Sequence, residues 1–269
     1  IGIFTGGSTG HRQKFFKEVL RKLGMPESNL YTHESNSLYA AVSEAHRIAF
    51  GQEMLPRAEL RKTDLILGIG SDFLEIGTSP VYSSRSFAES HSFKNGKMGR
   101  FVQIESALSQ TGARANERHV IPAGYEVYVA LLMARHLLDL PGARGSTAEK
   151  QEIKKSIEIY ADDLNRMYDV LQLDREFFKA IAQELLKSSS VVLAGSSFNF
   201  DENSTALQLA TVMVNTLIGA YGETLFIDRG WMTAPVKAND TKRFFDEASK
   251  LDALIVIDFF NDSIKSVHD

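Results

Sequence analysis

Three glycine-containing turns, each directly after an apolar run, are the segments of this sequence best suited to hold a ligand. The first covers residues 5–10 (TGGSTG), where Gly6, Gly7 and Ser8 are the candidate binding residues. Glycines let backbone N–H groups approach an anion, and the N-terminus of a following helix adds partial positive charge. The turn is not a P-loop, because no Gly-Lys-Ser/Thr follows. An anion site and a tight strand-to-helix turn both remain open here.

The second turn, residues 68–73 (GIGSDF), begins like a dinucleotide-binding fingerprint. Phe73 stands where the third glycine belongs, which argues against a simple NAD site. Asp72 is a polar group at a strand end, and helix capping is its expected use. The third turn, residues 195–198 (GSSF), would suit a nucleotide phosphate or sugar, and Asp201 or Asn203 is expected to cap the helix after it.

Glu126 follows Gly124 and Tyr125 at the start of a predicted helix. A carboxylate in a first helical turn is stabilised by the helix dipole. A carboxylate can also accept hydrogen bonds from both N1–H and the exocyclic amine of guanine. The residue pattern leaves both interpretations of Glu126 open.

Motifs of the common hydrolases and metalloenzymes are missing from the sequence. There is no H-E-x-x-H, no G-x-S-x-G and no metal-ligand spacing among the 7 histidines. The chain has 0 cysteines, which excludes disulfides, cysteine-bound zinc and iron–sulfur clusters within it. The absence of cysteine also excludes thiol nucleophiles within the chain.

The elements that position these turns alternate between strands and helices, which predicts an α/β fold with parallel sheets flanked by helices. We expect strands near residues 1–4, 30–33, 65–69, 101–105, 191–194, 224–228 and 253–258. Helices are expected near residues 11–23, 37–50, 80–91, 124–138, 146–171, 174–187, 203–221 and 240–251. The apolar stripe of the helix near 146–171 is expected to pack on a sheet.

The cluster of glycine and proline at residues 141–146 (PGARGS) predicts the internal boundary. It divides the chain into two Rossmann-like lobes, residues 1–140 and 141–269, with a helical pair inserted in the second. The chain opens on a strand without an initiator Met, so we expect an internal piece of a longer protein.

Composition restricts the partners. The chain of 269 residues is 43% hydrophobic and 24% charged, with a formal net charge of -4. This balance is typical of a globular domain and gives no basic surface for nucleic acid. No apolar run reaches the roughly 18 residues that a membrane-spanning helix needs, so direct membrane insertion is not expected.

Several stretches resemble the molybdopterin oxidoreductase family. Residues 64–75 (DLILGIGSDFLE) with the following Ser-Pro resemble that family's "GADFLE…SP" segment. Residues 99–105 (GRFVQIE), 111–117 (TGARANE) and 122–126 (PAGYE) resemble its "GRFVQVEP", "TGANADE" and "RPGTE". Within the family, these motifs are most similar to those of polysulfide and thiosulfate reductases. They are also similar to those of the molybdopterin-like subunit of alternative complex III, a quinol-oxidising membrane complex.

Members of that family bind a molybdenum or tungsten cofactor with two guanine dinucleotide arms. The resemblance implies that Gly70, Ser71, Asp72, Glu105 and Glu126 face one arm, and Gly195 and Ser196 the other. It also implies iron–sulfur and membrane subunits as partners in a respiratory electron-transfer complex. The location would then be membrane-associated, at the extracytoplasmic face.

The sequence departs from the family at three places. Residues 32–37 (THESNS) stand where the family usually has its metal ligand, and Ser35 or Ser37 could take that role. Pro122 replaces a common arginine, and residues 258–262 (DFFND) replace a Gly-x-Asn-Pro motif. Three hypotheses follow: a cofactor-binding central domain, a cofactor-free scaffold that docks iron–sulfur or cytochrome partners, or an unrelated nucleotide-binding α/β enzyme.

Overall fold

The fold consists of two units, each with its own parallel sheet. The computed structural model describes residues 1–6, 11–33, 38–77, 79–93, 98–195, 202–228 and 238–257, with only the backbone described at 238 and 239. The smaller unit combines Ile1–Ser43 with Met232–Asp269, and the larger unit is Glu44–Trp231. Helix α2 (Leu38–Phe50) contains the first sequence boundary between them.

The smaller unit has a three-stranded parallel sheet in the order β2-β1-β9. Its strands are β1 (Gly2–Gly6), β2 (Leu30–His33) and β9 (Leu254–Ile257). Alternating residues of β1 face opposite sides of the sheet, as the pleat requires. Ile3 packs with residues of α1 (His11–Lys22), and Phe4 packs with Phe244 of α9 (Ala238–Glu247).

The larger unit has a four-stranded parallel sheet in the order β6-β5-β4-β7. Its strands are β4 (Leu65–Ile69), β5 (Arg100–Glu105), β6 (Glu117–Val120) and β7 (Ser190–Ala194). All five residues of β4 are buried, because helices and neighbouring strands cover it on every side. A separate antiparallel pair joins β3 (Arg57–Ala58) to β8 (Leu225–Phe226).

Helices α4 (Glu126–Leu138) and α8 (Ser204–Ile218) pack against each other in the core of this unit. Nine residues of α4 are buried, including Glu126 in its first turn. Helix α3 (Pro80–Ser90) packs near residues 60–62, and α7 (Arg175–Lys187) packs on α4. An α-helix that is apolar on most of its sides belongs in such an interior position.

The predicted helix near residues 146–171 is two helices, α5 (Thr147–Glu158) and α6 (Ala161–Leu171). A capping box starts α5, since Ser146 and Glu149 bond each other's backbone N–H groups. The apolar stripe continues through both helices, but α5 and α6 pack mainly on α4 rather than on the sheet. The expectation of direct packing on the sheet was therefore wrong, because α4 already covers that face.

The α/β prediction with parallel, helix-flanked sheets is confirmed. The strands near 30–33 and 65–69 match β2 and β4 in full, and most other predicted elements differ from the observed ones by a few residues at their ends. The grouping of contacts differs from the predicted lobes 1–140 and 141–269. Strand β7 lies after residue 141, yet it pairs along its whole length with β4.

Candidate functional site

Most of the described residues that were predicted to bind a nucleotide lie at the carboxyl edge of the four-stranded sheet. They come from the ends of three of its strands and from the start of α4: Gly70, Ser71, Asp72, Glu105, Glu126 and Gly195. Ligands of parallel α/β sheets bind at this edge, where loops and helix N-termini gather. The fold therefore brings together residues that are up to 125 positions apart in sequence.

Of the remaining predicted residues, the structure describes only Gly6. Gly6 ends β1 in the smaller unit. Gly7, Ser8 and Ser196 lie outside the described residues, as do the candidate metal ligands Ser35 and Ser37. Within the described part of the chain, no three His, Asp or Glu side chains group as metal ligands do.

Gly70 and Gly195 make the turns that leave the sheet, with φ angles of 60° and 73°. Such angles favour glycine, because a Cβ atom strains this backbone conformation. The Gly70 N–H donates to the carbonyl oxygen of Ile104 at 2.7 Å, and the Gly195 N–H donates to that of Ile69 at 2.9 Å. Both amides thus extend the ladder of the sheet instead of pointing at an open anion site.

Gly68, the first glycine of the apparent fingerprint, has a packing role. A Cβ atom there would lie 1.8 Å from Oε1 of Gln103 on β5. Gln103 is fully buried, and its Oε1 has no hydrogen-bond partner among the described residues. Gly68 is therefore glycine because a neighbouring side chain occupies the space, which accounts for the G-x-G pattern without a nucleotide.

Six polar side chains at this edge form two hydrogen-bonded groups, which together we call the carboxylate knot. Glu105 bonds Gln103, Ser109 and Arg118, and Asp72 bonds Thr111. They come from β5, β6, the residues after β4 and the loop between β5 and β6. The sequence predicts only Asp72 and Glu105 of this set as site residues. The other four became recognisable only when the strands were placed side by side.

Glu105 is the centre of the carboxylate knot and is 2% exposed. Its Oε1 accepts from Arg118 Nε at 2.5 Å and from the Ser109 N–H at 3.3 Å. Its Oε2 accepts from Ser109 Oγ at 2.7 Å and from Gln103 Nε2 at 3.0 Å. Four donors fill the acceptor positions of one carboxylate. Glu105 is thus committed to the protein itself.

Burial by itself raises the pKa of Glu105, but hydrogen bonds from Arg118, Ser109 and Gln103 outweigh it and hold that pKa below 4.5. The carboxylate is therefore ionised at neutral pH inside the protein. Gly112 lies against it, since a Cβ at this position would be 1.9 Å from Oε1. The loop between β5 and β6 is fastened to the sheet by this contact and by the hydrogen bonds of Ser109.

Asp72, which follows β4, also bonds this loop. Its Oδ1 accepts hydrogen bonds from the hydroxyl group and the backbone N–H of Thr111. The expected helix-capping role was wrong, because α3 begins only at Pro80. Ser79 does occupy the N-cap position there, without a side-chain capping bond.

Glu126 is the first residue of α4 and is 4% exposed. Its position in the first turn, where the helix dipole favours a carboxylate, is as the sequence predicted. The buried setting is also where a carboxylate would discriminate a guanine edge, because water competes less for its oxygens. The role of Glu126 in base recognition stays a prediction.

The structure fits a guanosine arm in part. Glu126 and the tight turns after β4 and β7 are placed at the edge where nucleotides bind. By contrast, Glu105 and the amides of Gly70 and Gly195 are engaged within the protein. Those three groups shape the edge of the sheet and do not fit as direct ligands.

The described helices include none that is both long and apolar enough to cross a bilayer. No protein-family model matches the chain. The fold is that of an α/β protein with polar residues gathered at the carboxyl edge of its larger sheet, and similarity to known proteins narrows that class.

In sequence, the chain is 25% identical over 179 residues to the menaquinone reductase, molybdopterin-binding-like subunit of Nitratidesulfovibrio vulgaris. This similarity covers 66% of the chain and 25% of that subunit. In structure, it resembles acetylene hydratase from Pelobacter acetylenicus, with a TM-score of 0.62 and 12% identity, over 84% of the chain and 30% of that enzyme.

Both comparisons support the resemblance to molybdopterin oxidoreductase-type proteins that the sequence indicates, and this resemblance is confirmed. Acetylene hydratase shares the fold of the chain, and the menaquinone reductase subunit shares similarity in sequence. The chain spans about a quarter to a third of the length of these proteins.

Proposed function

We propose that the chain is the central domain of a molybdopterin-oxidoreductase-like subunit of a respiratory electron-transfer complex. Its four-stranded sheet would hold one guanosine arm of a molybdenum or tungsten cofactor at the carboxyl edge. The observation that carries the proposal is the gathering of Gly70, Asp72, Glu105, Glu126 and Gly195 at that edge. The name of the menaquinone reductase subunit supports the respiratory setting.

Each residue would contribute differently to such a site. Glu126 would accept from the guanine edge, and Gly70 would keep a side chain out of the path of that arm. Gly195 would do the same for the other arm. Asp72 and Glu105 would act through the carboxylate knot, by fixing the loop between β5 and β6. The bound cofactor would supply the redox-active metal, and the protein would orient it and exclude water.

A second candidate function is a cofactor-free scaffold that docks iron–sulfur or cytochrome subunits. The full engagement of Glu105 and of the Gly70 and Gly195 amides favours it, since these groups are satisfied without a ligand. In either case the partners would belong to a membrane-associated complex, at the extracytoplasmic face. The third hypothesis, an unrelated nucleotide-binding enzyme, loses support from the similarity to the molybdopterin-type proteins.

The deciding measurement is the metal and pterin content of the full-length protein purified from its native host. We expect stoichiometric molybdenum or tungsten together with guanine nucleotide released on acid hydrolysis. Their absence from intact, folded full-length protein would refute the cofactor-holding function and leave the scaffold function. Subunits that co-purify would identify the partners in both cases.

A further inference from the structure

Arg118 is the one member of the carboxylate knot whose hydrogen-bonding capacity is largely unused. It lies on β6, in register with Gln103 of β5. Its Nε donates to Glu105 Oε1, and neither terminal nitrogen has a hydrogen-bond partner among the described residues. The side chain is 26% exposed, whereas that of Glu105 is 2% exposed. The buried carboxylate of Glu105 thus binds the partly exposed guanidinium of Arg118 through its Nε atom alone.

This arrangement pre-positions the guanidinium. Arginine–carboxylate ion pairs often form two parallel N–H···O bonds, and such a pair would occupy the N–H groups of the guanidinium that otherwise bind an anion. Here only Nε contacts Glu105, and Glu105 is itself fixed by Ser109 and Gln103. Less side-chain entropy is therefore lost when the terminal nitrogens bind a ligand.

We propose that Arg118 is an anion-binding residue of this edge, and that the anion it takes is the diphosphate of a nucleotide. The planar guanidinium fork matches phosphate oxygens in geometry and in charge. Strand β6 ends at the edge of the sheet where parallel α/β proteins bind ligands. The inference rests on the proposed function, since it assigns the diphosphate next to the guanosine that Glu126 would recognise.

In this assignment Glu105 is a positioning residue, which acts on the ligand only through Arg118. The negative charge of Glu105 offsets part of the charge of Arg118, so recognition depends mainly on the N–H groups. We expect a dissociation constant for inorganic pyrophosphate of about 1 mM at low salt, an affinity of roughly 4 kcal/mol.

The test is calorimetric titration of the chain with inorganic pyrophosphate, GDP, ADP and guanosine. We expect the wild-type chain to bind pyrophosphate and both nucleotides, and Arg118→Gln to weaken pyrophosphate binding at least about tenfold. Arg118→Lys keeps the charge without the fork and should fall between them. Arg114→Gln is the matched control, because it removes an exposed arginine four positions away, and its affinity should equal that of wild type.

Removing Arg118 leaves Glu105 as a buried charge, which could unfold the protein. The double variant Glu105→Gln/Arg118→Gln avoids this and is expected to show the same loss of pyrophosphate binding with a native circular dichroism spectrum. The inference is overturned if wild type does not bind pyrophosphate, or if either folded Arg118→Gln variant binds it as tightly as wild type.

The outcomes separate this inference from the proposed function. Equal affinity for GDP and ADP, with Arg118-dependent pyrophosphate binding, would contradict guanine recognition and support Arg118 as an anion site. Equal affinity for GDP and pyrophosphate would identify the free anion as the ligand. A preference for GDP that is insensitive to Arg118→Gln would support guanine recognition and refute the role of Arg118.

Discussion

At the residue scale, the structure gives the glycines and the carboxylates of the predicted site roles within the protein itself. The glycines of the G-x-G turn are explained by Gln103 packing and by a positive φ angle, and neither requires a nucleotide. The carboxylates Asp72 and Glu105 bind the protein's own loop. Sequence motifs of this kind identify positions where only certain residue types fit. The surrounding residues in the structure show whether packing, backbone conformation or ligand binding is the cause.

Gly68→Ala tests the packing role directly. The added methyl group would collide with Gln103 Oε1, so we expect a loss of about 1–3 kcal/mol in the free energy of unfolding. The same substitution in a Gln103→Ala background should cost less, because the colliding atoms are gone. Urea denaturation of the four proteins of this cycle measures the coupling. Additive losses would show that Gln103 is not the reason for glycine at position 68.

Glu126→Gln tests base recognition. The amide keeps the size of the side chain and replaces one acceptor oxygen by a donor, which would oppose guanine N1–H or its amine. We expect GDP affinity to fall at least about tenfold, with pyrophosphate affinity unchanged. Titration with inosine diphosphate, which lacks the exocyclic amine, is the matched ligand control. An unchanged GDP affinity in the folded variant would end the assignment of Glu126 to guanine.

At the element scale, the carboxylate knot joins the loop between β5 and β6 to three strands of the sheet. Glu105 belongs to β5, Asp72 follows β4, and Arg118 belongs to β6. A buried carboxylate whose oxygens all accept hydrogen bonds favours one arrangement of the elements that supply the donors, because any other leaves its charge unpaired. The knot therefore sets the position of the loop that borders the candidate site.

This coupling predicts a pH dependence of stability. The folded-state pKa of Glu105 lies below 4.5, so its contribution to stability is complete above pH 4.5 and is lost as pH falls through the folded-state pKa. Below about pH 4.5 the free energy of unfolding should fall more steeply for wild type than for Glu105→Gln. Urea denaturation between pH 3 and 7 measures both slopes.

Glu158→Gln serves as the control for that experiment. Glu158 is an exposed residue of α5 with one long ion pair to Lys154, so its slope should match that of wild type. Other carboxylates with lowered pKa, such as Glu117, are present in every variant and cancel in the comparison. Identical slopes for wild type and Glu105→Gln would mean that the knot does not contribute through its ionised form.

At the scale of the whole molecule, the sequence was sufficient to predict the fold class but not the arrangement of its elements. Strand β4 was predicted in full because its continuous apolar run is typical of a strand buried on both faces. Strand β6 was missed, since Glu117–Val120 is a polar edge strand without an alternating pattern. The break between α5 and α6 was missed because the apolar stripe continues across it without glycine or proline.

Because β6 was not predicted from the sequence, part of the candidate site could not be predicted either. Arg118 could be connected to Glu105 only by placing β6 beside β5, since the two residues are 13 positions apart. Glu126 was predictable because a helix start is a local feature of the sequence. Local sequence signals thus predict which residues are candidates. Which side chains form hydrogen bonds with those residues depends on strand order, which the sequence pattern does not give.

Strand order also predicts which part of the chain folds alone. A fragment of residues 44–228 contains all four strands of the larger sheet and the packed pair α4 and α8, so it should unfold cooperatively on heating. A fragment of residues 1–140 lacks β7 and α8, which leaves one edge of β4 unpaired and the apolar surface of α4 uncovered. We expect that fragment to aggregate or to show no cooperative transition.

Circular dichroism melts and analytical ultracentrifugation of both fragments distinguish these outcomes. A cooperative, monomeric 1–140 fragment would restore the boundary that the glycine and proline cluster at 141–146 predicts, and GDP binding by 44–228 would locate the candidate site within the larger unit alone.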